Sequence, residues 1–222
     1  MSPSSPGFTR RCLLATGVAG LAPAWVWAAT PGAGGDLSFE VWRGRRRIGL
    51  HTVRFRPSGG ALEVLIAAQM EVGLGPISLF RYRHQSRELW RDGQFVRLES
   101  RTSTNGRLER LSAERKPDEV SIVTGGGQAV RAPPRACPLS HWNLAAMDGP
   151  LFNPQTGAVL QEDVSRRAGD TVKLADGRDV AATRCVLTGQ AEITDWYDQD
   201  GRWTALRGKV ADGSFIDYRR LS

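Results

Sequence analysis

Any chemistry this chain performs would centre on Ala136–Asn153, ACPLSHWNLAAMDGPLFN, where Cys137, Ser140, His141, Trp142 and Asn143 stand close together. Ser140 beside His141 has the residue types of a hydrolase pair. Neighbours in sequence rarely aim a hydroxyl at an imidazole, however, and the chain has no Gly-x-Ser-x-Gly elbow. Cys137 and His141 would form a thiolate pair if a short helix set them on one face, a geometry that Pro138 opposes. Asp195, Asp198 and Asp200 could supply the paired carboxylates of glycoside hydrolysis. Asp198 and Asp200 are also ordinary turn formers beside Gly201. The three histidines, His51, His84 and His141, show no metal-ligand spacing: there is no H-x-E, no HExxH and no CxxC. Gly125–Gly127 is followed by neither a helix nor Lys-Ser/Thr, so it is no phosphate loop. The sequence therefore assigns no catalytic residue, no metal and no cofactor. Each reactive residue has a structural role open to it: Ser140 as a helix cap, Cys137 as a small apolar residue or the disulfide partner of Cys185, Trp142 as core.

The elements that must position this stretch are strands. Leu62, Val64, Ile66, Ala68, Met70, Val72 and Leu74 occupy alternate positions, and Glu63, Gln69 and Glu71 share the other face. Period two sustained this long is a strand with one face buried; a helix would scatter the same residues around its circumference. Ile77–Gln85 continues the pattern, with Phe80, Tyr82 and His84 on one side and Arg81 and Arg83 on the other. Asp92-Gly93, Asn105-Gly106, Asp176-Gly177, Asp200-Gly201 and Asp212-Gly213 are tight-turn signals between strand-like runs. Trp196, Tyr197 and Trp203 gather aromatic mass in the last meander and are expected in the core. The one short helical candidate is His141–Met147, with Ser140 as N-cap and Gly149 as stop.

These signals predict an all-β protein: a strongly curved antiparallel meander, or partly open β-barrel, with one short helix or loop insertion at 138–149. Two sandwiched sheets are the alternative. An insertion between two meanders that share one sheet must plug or line its mouth. That expectation makes Ser140, His141, Trp142 and Asn143 the ligand-binding candidates.

The N-terminus reads as an address. Thr9-Arg10-Arg11-Cys12-Leu13-Leu14 opens an apolar run to Ala29, with Val26 and Ala28 at a cleavage-type exit. Residues 1–28 are expected to be a twin-arginine export signal, 29–36 a flexible segment and 37–222 a single β domain that is periplasmic or secreted. The formal charge of +7 includes Arg10 and Arg11; without them it is +5, since no acid precedes Asp36. Arginine alternates with acid along the strands, so no nucleic-acid partner is expected. No apolar run after the signal reaches spanning length. An exported chain keeps Cys137 and Cys185 in an oxidising compartment, which makes them a candidate disulfide.

The order of motifs resembles an uncharacterised bacterial family of exported β-proteins, described as a domain of unknown function. The residues that carry the likeness are Ile48–Val53, Glu88-Leu89-Trp90 with Asp92-Gly93, Pro138–Asn143 and Asn153–Gly157. They continue with Trp196-Tyr197-Asp198, Gly201-Arg202-Trp203, and Asp212-Gly213-Ser214 with Ile216 and Tyr218. The resemblance implies no activity. At the level of fold alone, the layout is similar to curved-sheet carriers of the lipoprotein-carrier type. The function expected is non-enzymatic binding of a lipid or other apolar or amphipathic envelope ligand. The alternatives are a hydrolase-like enzyme using His141, or a structural or interaction protein of the envelope.

Overall fold

The computed structural model describes residues 35–74, 77–210 and 212–221. The expected export signal, and all of the expected N-terminal segment except Gly35 and Asp36, lie outside the described residues. Asp36 itself is anchored, its Oδ1 accepting a hydrogen bond from the Phe55 amide at 3.0 Å.

A first meander runs through β1 (Leu37–Arg43), β2 (Arg46–Ser58), β3 (Ala61–Leu74), β4 (Ile77–Arg91), β5 (Gln94–Thr104), β6 (Arg107–Arg115), β7 (Val120–Thr124) and β8 (Ala129–Ala132). A second runs through β12 (Glu162–Lys173), β13 (Asp179–Gly189), β14 (Ile193–Tyr197), β15 (Trp203–Lys209) and β16 (Phe215–Arg220). Strand β16 pairs antiparallel with β1, with Phe39 opposite Arg220, and joins both meanders into one 13-stranded sheet ordered from β12 to β8. The sheet is curved and its ends, β12 and β8, do not meet. The expected partly open, antiparallel β architecture is the one observed.

The alternating pattern decides which face is buried. Val64, Ile66 and Ala68 of β3 point into the core, and Ala67, Gln69 and Glu71 point to solvent. On β4 the inward positions include His84, Ser86, Glu88 and Trp90. The turns follow their chemistry. Asp92 and Gly93 have φ of 50° and 72°, and Asn105 and Gly106 have 50° and 89°. Positive φ at both central residues matches the right-handed twist of the hairpins they close.

Between the meanders, a small sheet of β9 (Cys137–Pro138), β10 (Leu151–Phe152) and β11 (Val159–Leu160) carries the insertion. The expected helix is a 3₁₀ turn at Leu144–Asp148, preceded by Asn143 and lacking a side-chain cap. Ser140 is not its cap; its hydroxyl points to the Pro138 carbonyl at 3.4 Å. Trp142 sits edge-on to Phe55 and Trp90 at 5.4 and 5.3 Å, and Phe152 edge-on to Phe95 at 5.7 Å. Ser100 of β5 donates to the Pro154 carbonyl at 2.6 Å. The insertion thus plugs one end of the concave face. Tyr197 and Trp203 are fully buried as expected, but Trp196 lies on the other side of β14, half-buried, donating to Asp170 at 2.8 Å. Among the described residues no helix is long and apolar enough to cross a membrane.

Candidate functional site

All three histidines of the chain converge on the concave face. The ladder puts Phe39, His51, Ala68, His84 and Thr102 in one transverse row across β1 to β5. His51 is ringed by the edges and faces of Phe39, Trp203 and Tyr218, with centroids 5.2–6.1 Å away. Both its ring nitrogens are buried without a hydrogen-bond partner. His84 Nδ1 is 2.9 Å from the Thr102 hydroxyl. Along the same faces, Ser86 Oγ and Glu88 Oε1 are also buried and unpartnered. Buried polar atoms almost always find partners, so four such atoms on two strands of one face mark a place that holds polar groups in reserve.

The insertion supplies the third histidine. His141 takes φ of 66°, an uncommon left-handed conformation for a residue with a side chain. Three contacts hold it there. Its Nδ1 is 2.9 Å from Oδ2 of the fully buried Asp195. The Tyr197 hydroxyl donates to its carbonyl at 2.7 Å. Its ring stacks on Trp203 at 5.4 Å. Trp203 Nε1 in turn donates to Asp195 Oδ1 at 2.9 Å and to the Ala205 carbonyl at 3.1 Å. In the sequence, Asp195 stands as one carboxylate of a turn-rich run. Its inward position on β14, opposite Cys185 and Leu206, is what makes it the partner of His141. The period-two alternation of β14 was the only signal that could have separated it from Asp198 and Asp200.

The other candidates take supporting places. Trp142 is buried and donates to Glu88 Oε2 at 3.0 Å, beside Trp90 at 2.8 Å. Burial pushes the Glu88 carboxyl up to about 7, against the opposing pull of the two indoles and the Ser140 hydroxyl. Ser140 comes near enough to exert that pull, but Oε1 has no well-formed hydrogen bond. Asn143 is half-buried at the start of the 3₁₀ turn and makes no side-chain cap. Cys137 and Cys185 are free thiols, not the expected pair. Cys137 Sγ faces the Arg135 carbonyl at 3.6 Å, and Cys185 Sγ faces Met147 Sδ at 3.8 Å. Each therefore points to a different neighbour. Burial raises both, Cys137 to about 11, so neither has the character of a thiolate nucleophile. No cluster of three or more metal-ligating side chains forms among the described residues.

Burial lowers His51 to about 3 and His84 to about 4, from an ordinary 6.5, so both are neutral near pH 7. The unfolded chain takes up protons below 6.5 that these two refuse when folded. Their contribution to stability is present above 6.5 and is lost as pH falls toward 4. Glu88 has the opposite sign: its contribution is present below 4.5 and is lost as pH rises through about 7. Each group is worth about 1.4 kcal/mol per pH unit within its window. Two histidines outweigh one glutamate, so urea unfolding should show stability falling by roughly 1–2 kcal/mol from pH 6.5 to 5. Glu88→Gln should steepen that fall; an unchanged slope would remove Glu88 from the account.

A curved, open antiparallel β-sheet plugged by one insertion defines a barrel-like, all-β architecture. The chain belongs to the family described as Domain of unknown function (DUF6134), whose model matches residues 39–221. A solved structure described as a beta-barrel-like protein of Domain of Unknown Function DUF1849 from Brucella abortus is similar in fold. It has a TM-score of 0.62 at 10% identity, covering 84% of this chain and 95% of that one. No curated protein sequence matches the chain.

Proposed function

We propose that this is an exported, non-enzymatic protein that binds an amphipathic ligand at the unplugged end of its concave face. The observation that carries the reading is His51, whose two ring nitrogens are buried without a partner. Toward the β3–β4 turn, Met70, Val72, Phe80 and Tyr82 continue the same inward face but are only half-buried. They offer an apolar rim above a neutral hydrogen-bonding row. Neutral imidazole presents one donor and one acceptor, which suits an uncharged polar head better than an ion. The twin-arginine pattern of residues 9–14 supports export to the periplasm or beyond.

The His141–Asp195 pair is the feature that favours a hydrolase-like reading, since a carboxylate on Nδ1 orients an imidazole as a base. The groups that could serve as its nucleophile are engaged elsewhere. Ser140 points to Pro138, Cys185 to Met147, and the Tyr197 hydroxyl to the His141 carbonyl. These engagements support a structural role for the pair, fixing the insertion over the sheet.

Native mass spectrometry and solvent extraction of protein from its own host should reveal a co-purifying amphiphile. Reproducibly empty protein would sink the reading. His51→Phe keeps the ring packing and removes two unpartnered polar atoms. It should raise stability at pH 7 by about 1 kcal/mol or more, and the variant should purify without the amphiphile. A variant that is destabilised, or still loaded, would show that His51 is ordinary core.

A further inference from the structure

On the opposite, solvent-facing side of β2–β7 the ladder assembles a second surface. One transverse row reads Thr52, Ala67, Gln85, Arg101, Arg110 and Gly125, and the next reads Arg54, Leu65, Arg87, Glu99, Ser112 and Val123. A groove of about 720 Å³ runs across these rows. A second, of about 410 Å³, shares Thr52, Ala67, Gln85 and Arg101 with it and extends to Arg83. Arg101 and Arg110 are directly opposed across the ladder, an arrangement of like charges that costs stability.

Acid partners do not relieve it. Glu99, the one acid lining the groove, is bonded by Arg97 at 2.6 Å, and Arg87 is paired with Glu63 at the edge. Arg54, Arg83, Arg101 and Arg110 have no ion pair among the described residues. Leu50, Leu79, Leu108 and Val123 flank them on the same face, between 36% and 62% exposed. Most of the large exposed hydrophobic side chains of the described chain therefore share one face with its unpaired arginines. Scattered exposed leucines mean little, but leucines interleaved with unpaired guanidinium groups form a surface that matches a lipid headgroup region. Guanidinium groups take phosphate oxygens in bidentate fashion, and the leucines reach into the acyl boundary.

We infer that the outer face of β2–β7 docks on anionic phospholipid membranes, with Arg101 and Arg110 clamping headgroup phosphates. The inference does not depend on the concave-face ligand. It gives the protein a peripheral contact with a membrane surface.

The test is co-sedimentation of the purified chain, freed of residues 1–28, with vesicles of phosphatidylcholine alone or with about one third phosphatidylglycerol. Binding is expected only to the anionic vesicles and should weaken with added salt. Arg101→Gln/Arg110→Gln should bind about 25-fold more weakly, about 5-fold for each arginine removed. Arg167→Gln/Arg178→Gln carries the same change in net charge on the second meander and should bind as the parent does. Circular dichroism should show both double variants folded, since all four side chains are exposed. Equal weakening by both pairs would reduce the effect to net charge and overturn the proposal. So would binding to neutral vesicles at the same strength. Saturable calorimetric binding of inorganic phosphate, with no vesicle binding, would also overturn it and leave a small-anion site.

Discussion

Asp195→Ala is expected to lower the stability of the folded chain by roughly 3–5 kcal/mol, read from urea unfolding at pH 7. Asp195 is fully buried and accepts from Trp203 while it holds His141 Nδ1, so its loss strands the imidazole and removes one of two acceptors from the indole. Trp203 keeps the Ala205 carbonyl, which limits the cost on that side. His141 keeps no second side-chain partner for Nδ1. Its left-handed backbone is itself worth about 1–2 kcal/mol of strain, which these contacts now hold in place. The Tyr197 hydroxyl would remain on its carbonyl, so the insertion should loosen around His141 rather than detach. Asp195→Asn keeps one acceptor and should cost about half as much. Trp203 is the natural reporter, fully buried and stacked on His141. Its near-ultraviolet circular dichroism should weaken in the alanine variant. A variant with parental unfolding midpoint and unchanged aromatic signal would show that the pair carries no weight.

The strands and turns were open to sequence reading because their causes are local. Alternation from Leu62 to Val72 fixes the buried face of β3, and Asp-Gly or Asn-Gly pairs fix the hairpins through positive φ. The same alternation already set His84 with Phe80 and Tyr82, which is where the sheet places it. The junction of the two meanders through β16 and β1 was not legible, because Val41 and Tyr218, which face each other across it, stand 177 residues apart with no local signal to link them. The candidate site was legible in part. Trp142 and His141 meet the sheet, and so do Met147, Phe152 and Pro154 of the same insertion. What holds it there, Glu88 and Asp195, lies 54 residues away on either side, on strands whose acids look in sequence like any other acid between hydrophobic residues. Their burial follows from strand parity, and their partners follow from topology alone. The helix expected at His141–Met147 failed for a local reason: His141 turns left-handed, which ends any right-handed helix before it starts.

Gly49→Ala should be the most damaging single methyl group that can be added to this chain's central strands. A Cβ at Gly49 would lie 2.0 Å from the Gln69 carbonyl oxygen and 2.9 Å from the Gln69 carbonyl carbon and Met70 Cα. All three are backbone atoms of β3, so no side-chain rotation makes room. Strands β2 and β3 would have to part where Gly49 faces Met70. The position is already irregular on its other edge. The register of β1 against β2 shifts between Val41, opposite Gly49, and Trp42, opposite Arg47, so that Ile48 is the extra residue of a bulge. A bulge increases local twist and brings neighbouring backbones close, which is what a residue without Cβ permits. Two residues on, His51 depends on the same strand for its place in the polar row. Gly49→Ala is therefore expected to cost about 4 kcal/mol or more, or to prevent soluble folding. Gly177→Ala provides the comparison. Gly177 has φ of 87° but meets nothing within 4 Å, so only backbone strain is added, about 1 kcal/mol. Hydrogen exchange should show lost protection along β2 and β3 in the Gly49 variant and only at the β12–β13 turn in the Gly177 variant. Equal cost at the two positions would mean that β2 and β3 can part without penalty, and that the close approach at Gly49 does not anchor the sheet.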